Sequence, residues 1–381
     1  MEVGRALFGI KCPHPLITLS VPVYGTESVL PELLDSLAGQ SLFTDGKAGG
    51  AAVPFELLIV NDGSPDGALL PKIIKPYKKN LAALCGSVRI LEHRKNLGTL
   101  EARRTSVLHA RGKYSVFIDP DDSLPPDALK GLYTATLSSG ARIVHGRAEY
   151  KLDLAFHDAE AEAGYTPENL ARMDAKIKNV HTGFLKGTEI LENFLLKGGH
   201  NGLVCGKLFF TELLRRAFED IPHTFCTMAE GFLIYFFALL HAAGLHSPRG
   251  TDGLKDKLEV TAENKNGFSG NGGKEESLYY GIEEIVYTYR LGRGISSNRE
   301  ITSLDQWERA CSAASVFTII FSHLEEHSLT VPNAEKILLS LKDLCRSHMK
   351  MNLNHLQRVS PSLQPEAKKI LCEYWGEGID C

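Results

Sequence analysis

The chain has 381 residues, of which 43% are hydrophobic and 23% are charged. This is the balance of a folded globular protein, not of a disordered, collagenous or coiled-coil one. Its 42 Lys and Arg residues against 46 Asp and Glu give a net charge of −4, so the bulk charge does not attract nucleic acid. At roughly 100–200 residues per domain, the length allows two or three domains.

The eight cysteines are scattered and form no C-x-x-C pair. That argues against a structural zinc site and against a dense disulfide framework, and it favours a reducing compartment. Apolar runs such as residues 232–240 are too short to span a bilayer, and the N-terminus lacks the long apolar core of a signal peptide. We therefore expect a soluble, cytoplasmic protein with no nucleic-acid partner.

The first 150 residues alternate strand-like and helix-like segments. Short aliphatic and β-branched runs predict strands, and apolar residues at helical spacing predict helices. The predicted strands cover residues 16–23, 55–60, 88–91, 114–118 and 141–144, and the predicted helices cover 29–37, 100–110 and 126–137. Thr26 is a candidate N-cap of the first helix. The alternation predicts an α/β fold, with helices on both faces of a mostly parallel sheet.

Beyond residue 150 the pattern becomes mainly helical. Residues 246–277 are polar and contain Asn-Gly, Ser-Gly and Gly-Gly pairs, which predicts a mobile insertion. Residues 279–289 fit either a short helix or a strand. Helical patterns then follow near residues 305–325, 333–350 and 364–375. We divide the chain into an N-terminal half (1–150), a second half (151–300) and a helical C-terminal extension (301–381).

Acidic residues follow two of the predicted strands. Asp119, Asp121 and Asp122 come after one strand, and Asn61 with Asp62 after another. Ligands of parallel sheets bind at these carboxyl ends. Neighbouring carboxylates repel one another unless a cation neutralises them, and oxygen ligands suit Mg²⁺ or Mn²⁺. An acidic turn that starts a helix would carry the same residues, so the triplet alone leaves both interpretations open.

A series of short motifs resembles, in order, those of family 2 glycosyltransferases, which have the GT-A fold. Within residues 16–150 they are S-V-P-V-Y at 20–24, N-D-G-S at 61–64 (D-D-G-S in the family), N-L-G with A-R at 96–103, A-R-G-K-Y at 110–114 and F-I-D-P-D-D at 117–122. Looser matches follow: G-K-L-F at 206–209, M-A-E-G-F at 228–232 and Y-R-L-G-R-G-I-S-S at 289–297. The last is similar to the loop that folds over bound donor.

This resemblance implies a metal-dependent, inverting glycosyltransferase that uses a UDP-sugar as donor. The N-terminal half would then bind the nucleotide sugar and the second half the acceptor. Pro22 and Tyr24 would shape the base pocket, and Asp62 would accept a hydrogen bond from uracil. Asp119 and Asp121 would hold Mn²⁺ or Mg²⁺.

Three arginines are implied at the donor. Arg103 would contact the donor or support the acidic loop. Arg290 and Arg293 would reach diphosphate oxygens, because a planar guanidinium suits phosphate. A solvated basic loop is the open alternative for that pair.

The position of the catalytic base departs from the family pattern. Where the family usually has Glu-Asp, this chain has Glu230 followed by Gly231, and glycine cannot accept a proton. Glu230 is the nearest replacement, although one helical step turns a side chain by about 100°. A non-catalytic or attenuated nucleotide-sugar binder therefore stays open as an alternative.

The resemblance also implies a glycan or lipid-linked glycan acceptor, in surface polysaccharide or lipopolysaccharide synthesis. Peripheral contact with a membrane stays open. One rival is an aspartyl phosphatase of the haloacid dehalogenase type, which also has D-x-D after a strand, but the chain lacks G-D-x-x-x-D. Another is the H-x-x-E-H pattern of inverted zinc peptidases at 323–327, which we expect to be ordinary polar residues closing an apolar helix.

Overall fold

The structure is a computed structural model, which describes residues 14–44, 53–84, 86–152, 167–245, 278–291 and 300–376. Eight strands of these ranges form a single mixed sheet in the order β3-β2-β1-β4-β7-β5-β8-β6. The strands are β1 (Ile17–Val23), β2 (Phe55–Asn61), β3 (Gly86–Glu92), β4 (Tyr114–Phe117), β5 (Ile143–Leu152), β6 (Gly183–Leu185), β7 (Lys207–Phe210) and β8 (Tyr279–Leu291).

The strands of the N-terminal half run parallel, as predicted. β1 lies between β2 and β4 and is parallel to both, and β2 is parallel to β3. Successive residues of β2 point to opposite faces: Leu57 belongs to the main core, whereas Leu58 packs in a separate cluster with Ala102. The strand is buried on both sides, and this explains why its sequence is a continuous apolar run.

Helices flank this sheet. In chain order they are α1 (Leu30–Ala38), α2 (Ser41–Thr44), α3 (Leu70–Ala83), α4 (Thr99–His109), α5 (Ala128–Ser139), α6 (Pro167–Ile177), α7 (Glu189–Leu195), α8 (Thr211–Asp220), α9 (Glu230–Ala242), α10 (Leu304–Cys311), α11 (Ala313–Glu326), α12 (Ala334–Leu356) and α13 (Gln364–Trp375). The sequence pattern did not predict α3, whose interior contains Pro76.

The predicted N-cap of the first helix is wrong. α1 begins only at Leu30, and its start is closed by the Thr26 backbone carbonyl, which accepts hydrogen bonds from the amides of Val29 and Leu30. The Thr26 hydroxyl is buried and has no hydrogen-bond partner among the described residues. The Thr26 main-chain carbonyl therefore caps the start of α1, and the Thr26 hydroxyl does not.

The second half of the sheet mixes both strand directions. β7 is antiparallel to β4 and to β5, and β5 is parallel to β8. Residues 279–289 are therefore part of a strand and not a helix. Because one sheet contains strands from both sides of residue 150, the two halves share a continuous core. The predicted mobile insertion at 246–277 lies outside the described residues.

The C-terminal extension packs on that core. Val316, Phe317 and Ile320 of α11 are buried in the main hydrophobic cluster. A smaller cluster around Trp307 and Leu371 joins α10 to α13. Across the described ranges, no helix combines the length and the apolar character that crossing a membrane requires.

Gly112, in the A-R-G-K-Y motif, lies where two backbones meet. A Cβ atom there would come 2.5 Å from the Thr18 amide nitrogen and 2.7 Å from the Ile17 carbonyl carbon of β1. We expect Gly112→Ala to destabilise the fold by ~1–3 kcal/mol, because backbone atoms cannot turn away as a side chain can. Thermal unfolding would measure the loss as a lower Tm.

Gly131→Ala, in the middle of α5, is the matched control. Its Cβ would meet only the Ile282 Cδ1 atom, at an ordinary 3.7 Å, and alanine is the better helix former by about 1 kcal/mol. Its Tm should stay equal or rise. Equal Tm values for wild type and Gly112→Ala would contradict the steric account.

Candidate active site

The carboxyl ends of three neighbouring strands bring the candidate residues to one edge of the sheet. Tyr24 directly follows β1, Asp62 directly follows β2, and Asp119 lies two residues beyond β4. The central position of β1 between its two parallel neighbours places these ends side by side. This is the edge at which open α/β sheets bind their ligands.

Arg103 connects the acidic loop to the start of α9. Its Nη2 donates to Asp119 Oδ1 at 2.7 Å, and its Nη1 donates to Glu230 Oε1, also at 2.7 Å. Arg103 is only 3% exposed, and the central carbon of its guanidinium lies 5.6 Å from the centre of the Phe117 ring. Arg103 thus contacts the acidic loop through Asp119, and both roles that the resemblance implies for it stay predictions.

The electrostatics of this bridge are those of a buried ion pair. Burial alone would lower the pKa of Arg103, but the carboxylates of Asp119 and Glu230 more than offset it and raise that pKa. Glu230 is 8% exposed. Burial raises the pKa of its carboxyl above the ordinary value, and the Arg103 charge opposes that rise. The site therefore holds a carboxylate that takes up a proton more readily than one in water.

The rest of the acidic loop is partly accessible. The Asp119 side chain is 24% exposed, and its second oxygen, Oδ2, accepts a weak hydrogen bond from the Cys205 thiol at 3.6 Å. Asp121 is half-buried. These two carboxylates, the predicted metal ligands, thus sit on a loop that a ligand can approach.

Asp122 is turned inward and held by strand β8. The Tyr287 hydroxyl donates to Asp122 Oδ2 at 2.7 Å, and the Arg290 amide donates to Oδ1 at 2.9 Å. The Tyr287 oxygen also accepts from the Asp119 amide at 3.0 Å. Burial, and then the charges of Asp121 and Asp119, raise the pKa of Asp122 well above its usual range. Asp122 thereby fixes the shape of the loop.

Asp62 is 3% exposed and anchors the loop that precedes α4. Its Oδ1 accepts from the Leu97 amide and its Oδ2 from the Gly98 amide, both at 2.9 Å. The His93 ring lies 2.6 Å from Oδ1. The expected hydrogen bond to uracil stays a prediction, and it would add a further donor to a carboxylate that already has three.

The two residues expected at the base pocket differ in exposure. Pro22 is buried within β1, and Tyr24 is half-buried just beyond it. The Arg309 guanidinium of α10 lies over the Tyr24 ring, with its central carbon 4.5 Å from the ring centre. The C-terminal extension therefore reaches the strand edge where the donor is expected.

Of the two arginines expected at the diphosphate, only Arg290 belongs to the described residues; Arg293 lies outside them. The Arg290 guanidinium forms an ion pair with Glu32 of α1, and its backbone holds Asp122. A contact of either arginine with phosphate stays a prediction.

Gly231 lies beside the Arg103 bridge. A Cβ atom there would meet the Val204 Cγ2 atom at 3.4 Å and the Arg103 Nη1 atom at 3.6 Å, which are ordinary contact distances. The position can therefore carry a Cβ atom, so crowding at that atom does not force a glycine on this chain.

Sequence reasoning missed three residues of this site: Tyr287, Cys205 and Arg309. Tyr287 lies within the run that fitted either a helix or a strand, and only the strand turns its hydroxyl to Asp122. Cys205 precedes the G-K-L-F motif without a signal of its own. Arg309 belongs to the extension, for which no motif was found.

Comparison with known proteins agrees with this architecture. Residues 18–197 match the model of the family described as "Glycosyl transferase family 2". The chain is 35% identical over 108 residues to the uncharacterized glycosyltransferase EpsJ of Bacillus subtilis, covering 28% of this chain and 26% of that protein. It is 30% identical over 132 residues to the poly(ribitol-phosphate) beta-glucosyltransferase of Bacillus spizizenii, covering 34% and 19%. The match thus spans about a quarter or less of each relative's length.

Among solved structures, residues 1–349 of S. aureus TarS in complex with UDP-GlcNAc superpose with a TM-score of 0.54. The superposition covers 94% of this chain and 80% of that one at 16% identity, which shows a shared fold. The motifs, the sheet order and these matches agree. Residues 18–197 are similar to glycosyl transferase family 2, and the chain has the GT-A fold.

Proposed function

We propose that this protein transfers a sugar from a UDP-sugar to a hydroxyl group of a glycan or lipid-linked glycan acceptor during synthesis of a surface polysaccharide. The observation that carries the proposal is the Arg103 bridge. It joins Asp119, at the carboxyl end of β4, to Glu230, at the start of α9. Loop acid and candidate base are thereby held in one site of a family 2 domain.

Two findings support the choice of donor and pathway. The TarS fragment with the same fold was solved with UDP-GlcNAc, and the B. spizizenii relative is a poly(ribitol-phosphate) beta-glucosyltransferase. The family 2 match of residues 18–197 leaves the phosphatase alternative without support. Among the described residues, no His, Cys, Asp and Glu side chains form a group of three or more that could hold a metal ion.

Asp119 and Asp121 fit a divalent cation that is shared with the donor. Mg²⁺ and similar ions use one or two carboxylates and take their remaining ligands from substrate phosphates and water. Asp119 keeps one oxygen that has only a weak thiol contact, on a partly exposed side chain. The bound cation would neutralise the charge that develops on the diphosphate leaving group. Arg103 holds the Asp119 carboxylate in place for that purpose.

Glu230 is the proposed general base. It would take the proton of the acceptor hydroxyl while the hydroxyl oxygen attacks the anomeric carbon and the bond to UDP breaks, which inverts the configuration. The buried setting that raises the pKa of Glu230 makes it a stronger proton acceptor. Its contact with Arg103 fixes the direction in which the carboxylate points.

A second candidate function follows from Gly231. If the usual aspartate is indispensable in this fold, the chain binds nucleotide sugar without turnover. The ordinary contacts that a Cβ atom would make at Gly231 favour this alternative, because crowding at the Cβ does not account for the missing aspartate.

Donor binding can be measured without the acceptor and without the catalytic base. UDP at about 100 times its dissociation constant should add about 2.7 kcal/mol of stability, seen as a rise in Tm that requires Mn²⁺. Asp121→Ala should lose that rise. Asp343→Ala, which removes a 72% exposed carboxylate of α12, is the control and should keep it. A rise that is independent of Mn²⁺, or none with UDP, would reject this donor site.

Turnover separates the two functions. Glu230→Gln should lower kcat by about 10²–10⁴, the usual contribution of a general base, and should leave the UDP dissociation constant within a few-fold. Gly231→Asp should leave kcat close to wild type. An inactive wild type that gains turnover through Gly231→Asp would instead show that the chain is a binder that has lost its base.

The pH dependence of turnover should report the same carboxylate. Glu230 must be deprotonated to act, and its pKa is raised above the ordinary 4.5. The kcat should therefore fall, as the pH is lowered, with a midpoint above 4.5. The UDP dissociation constant, measured over the same range, separates this limb from protonation of the loop aspartates. A midpoint at or below 4.5 would contradict the assignment.

A further inference from the structure

The C-terminal extension touches the candidate site in two places. Arg309 lies over Tyr24, as described above. Three residues further on, Ser312 holds the segment that leads into α9: its hydroxyl accepts from the Thr227 amide at 3.1 Å, and its carbonyl accepts from the Cys226 thiol at 3.6 Å. One short stretch thus contacts both the expected base pocket and the approach to Glu230.

That segment is itself fastened to the donor side. The Cys226 carbonyl accepts from the Leu100 amide at 3.0 Å, and Leu100 follows the Gly98 amide that binds Asp62. Ala229, just before Glu230, has a φ of 60°, which an L-residue adopts at a cost. The extension therefore helps to hold the backbone from which the candidate base projects.

Arg309 carries a charge that its surroundings compensate only in part. It is 8% exposed. Its Nη2 donates to Asp305 at 2.6 Å, but the Asp305 side chain is 66% exposed and its charge is largely screened by water. The Arg309 Nε is buried and has no acceptor among the described residues. The Arg103 Nε shares that property, yet two carboxylates surround the Arg103 guanidinium.

A buried N–H group without an acceptor is costly, so the Arg309 guanidinium would be stabilised by a movement that brings it to an oxygen acceptor. The Arg309 guanidinium also covers one face of Tyr24 and leaves no room for a base between them. A base that contacts both Tyr24 and Arg309 would lie at the edge of the Tyr24 ring. A base carbonyl or a phosphate oxygen could then meet the guanidinium.

We infer that Arg309 binds the nucleotide half of the donor beside Tyr24, so that the C-terminal extension forms one wall of the donor site. This inference rests on the proposed function. Its chemistry is that of a guanidinium donating to an oxygen, which a uracil carbonyl or a phosphate provides. A purely structural role, in which Arg309 only fastens the extension to Tyr24, would affect stability but not nucleotide affinity.

The test is calorimetric titration with UDP, UMP and uridine in the presence of Mn²⁺. Arg309→Gln should weaken UDP binding at least about tenfold, as loss of a charged hydrogen bond does, and Arg309→Lys should restore part of it. Arg346→Gln is the matched control, because this α12 arginine is 64% exposed and pairs only locally with Asp343. Its UDP affinity should equal that of wild type.

Comparison of uridine, UMP and UDP identifies which ligand oxygen Arg309 contacts. Equal weakening for uridine and UDP assigns a base carbonyl, and weakening confined to UMP and UDP assigns a phosphate; either result supports the inference. Unchanged UDP affinity in a folded Arg309→Gln protein overturns it, even if the Tm falls. A wild type that binds none of the three rejects the proposed donor and this inference together.

Asp305→Asn covers the case in which Arg309→Gln does not fold. It removes the carboxylate that competes for the guanidinium and leaves Arg309 in place. UDP should then bind more tightly than to wild type. Equal or weaker binding would overturn the inference.

Discussion

The candidate site depends on one buried guanidinium. Arg103 is almost inaccessible to water, and its two outer nitrogens are each committed to a carboxylate from a distant part of the chain. A buried charge persists only when it is paired and hydrogen-bonded, and removing one partner of such a pair is strongly destabilising. The requirement therefore acts in both directions. Arg103 draws Asp119 and Glu230 into one site, and the two carboxylates make the burial of Arg103 tolerable.

The need to pair or neutralise buried charge also explains why the three aspartates of the acidic loop have different surroundings. Asp122 faces inward, where Tyr287 and the Arg290 amide satisfy it and its pKa is raised. Asp119 uses one oxygen for Arg103, and Asp121 stays half-buried. Three carboxylates that all faced one ligand would repel one another. Turning one of them into the protein leaves two beside the proposed cation, which is the number that Mg²⁺ commonly uses.

The sequence predicted features that depend on neighbouring residues, and it did not predict contacts between residues far apart in the chain. β1, β2 and β4 are buried on both faces, so their apolar runs identify them without knowledge of their neighbours. The motif that contains Gly112 is equally local, since it marks where one loop passes over β1. By contrast, β7 enters the sheet between β4 and β5, antiparallel to both, through pairings with residues far away in sequence. The contact between Arg103 and Glu230 spans 127 positions, and no periodicity encodes it.

The helical extension is part of the core and of the candidate site, although it contains no family motif. Residues beyond 300 carry no recognisable family pattern, and an appended domain would have been a natural interpretation. Yet Val316 and Ile320 complete the main core, and Ser312 and Arg309 contact both sides of the candidate site. Core packing requires only apolar residues of suitable size, so it leaves no sequence signature that could be matched. The extension is thus joined to the GT-A domain by apolar packing, which sequence motifs do not reveal. It nevertheless contacts the motif residues of the candidate site.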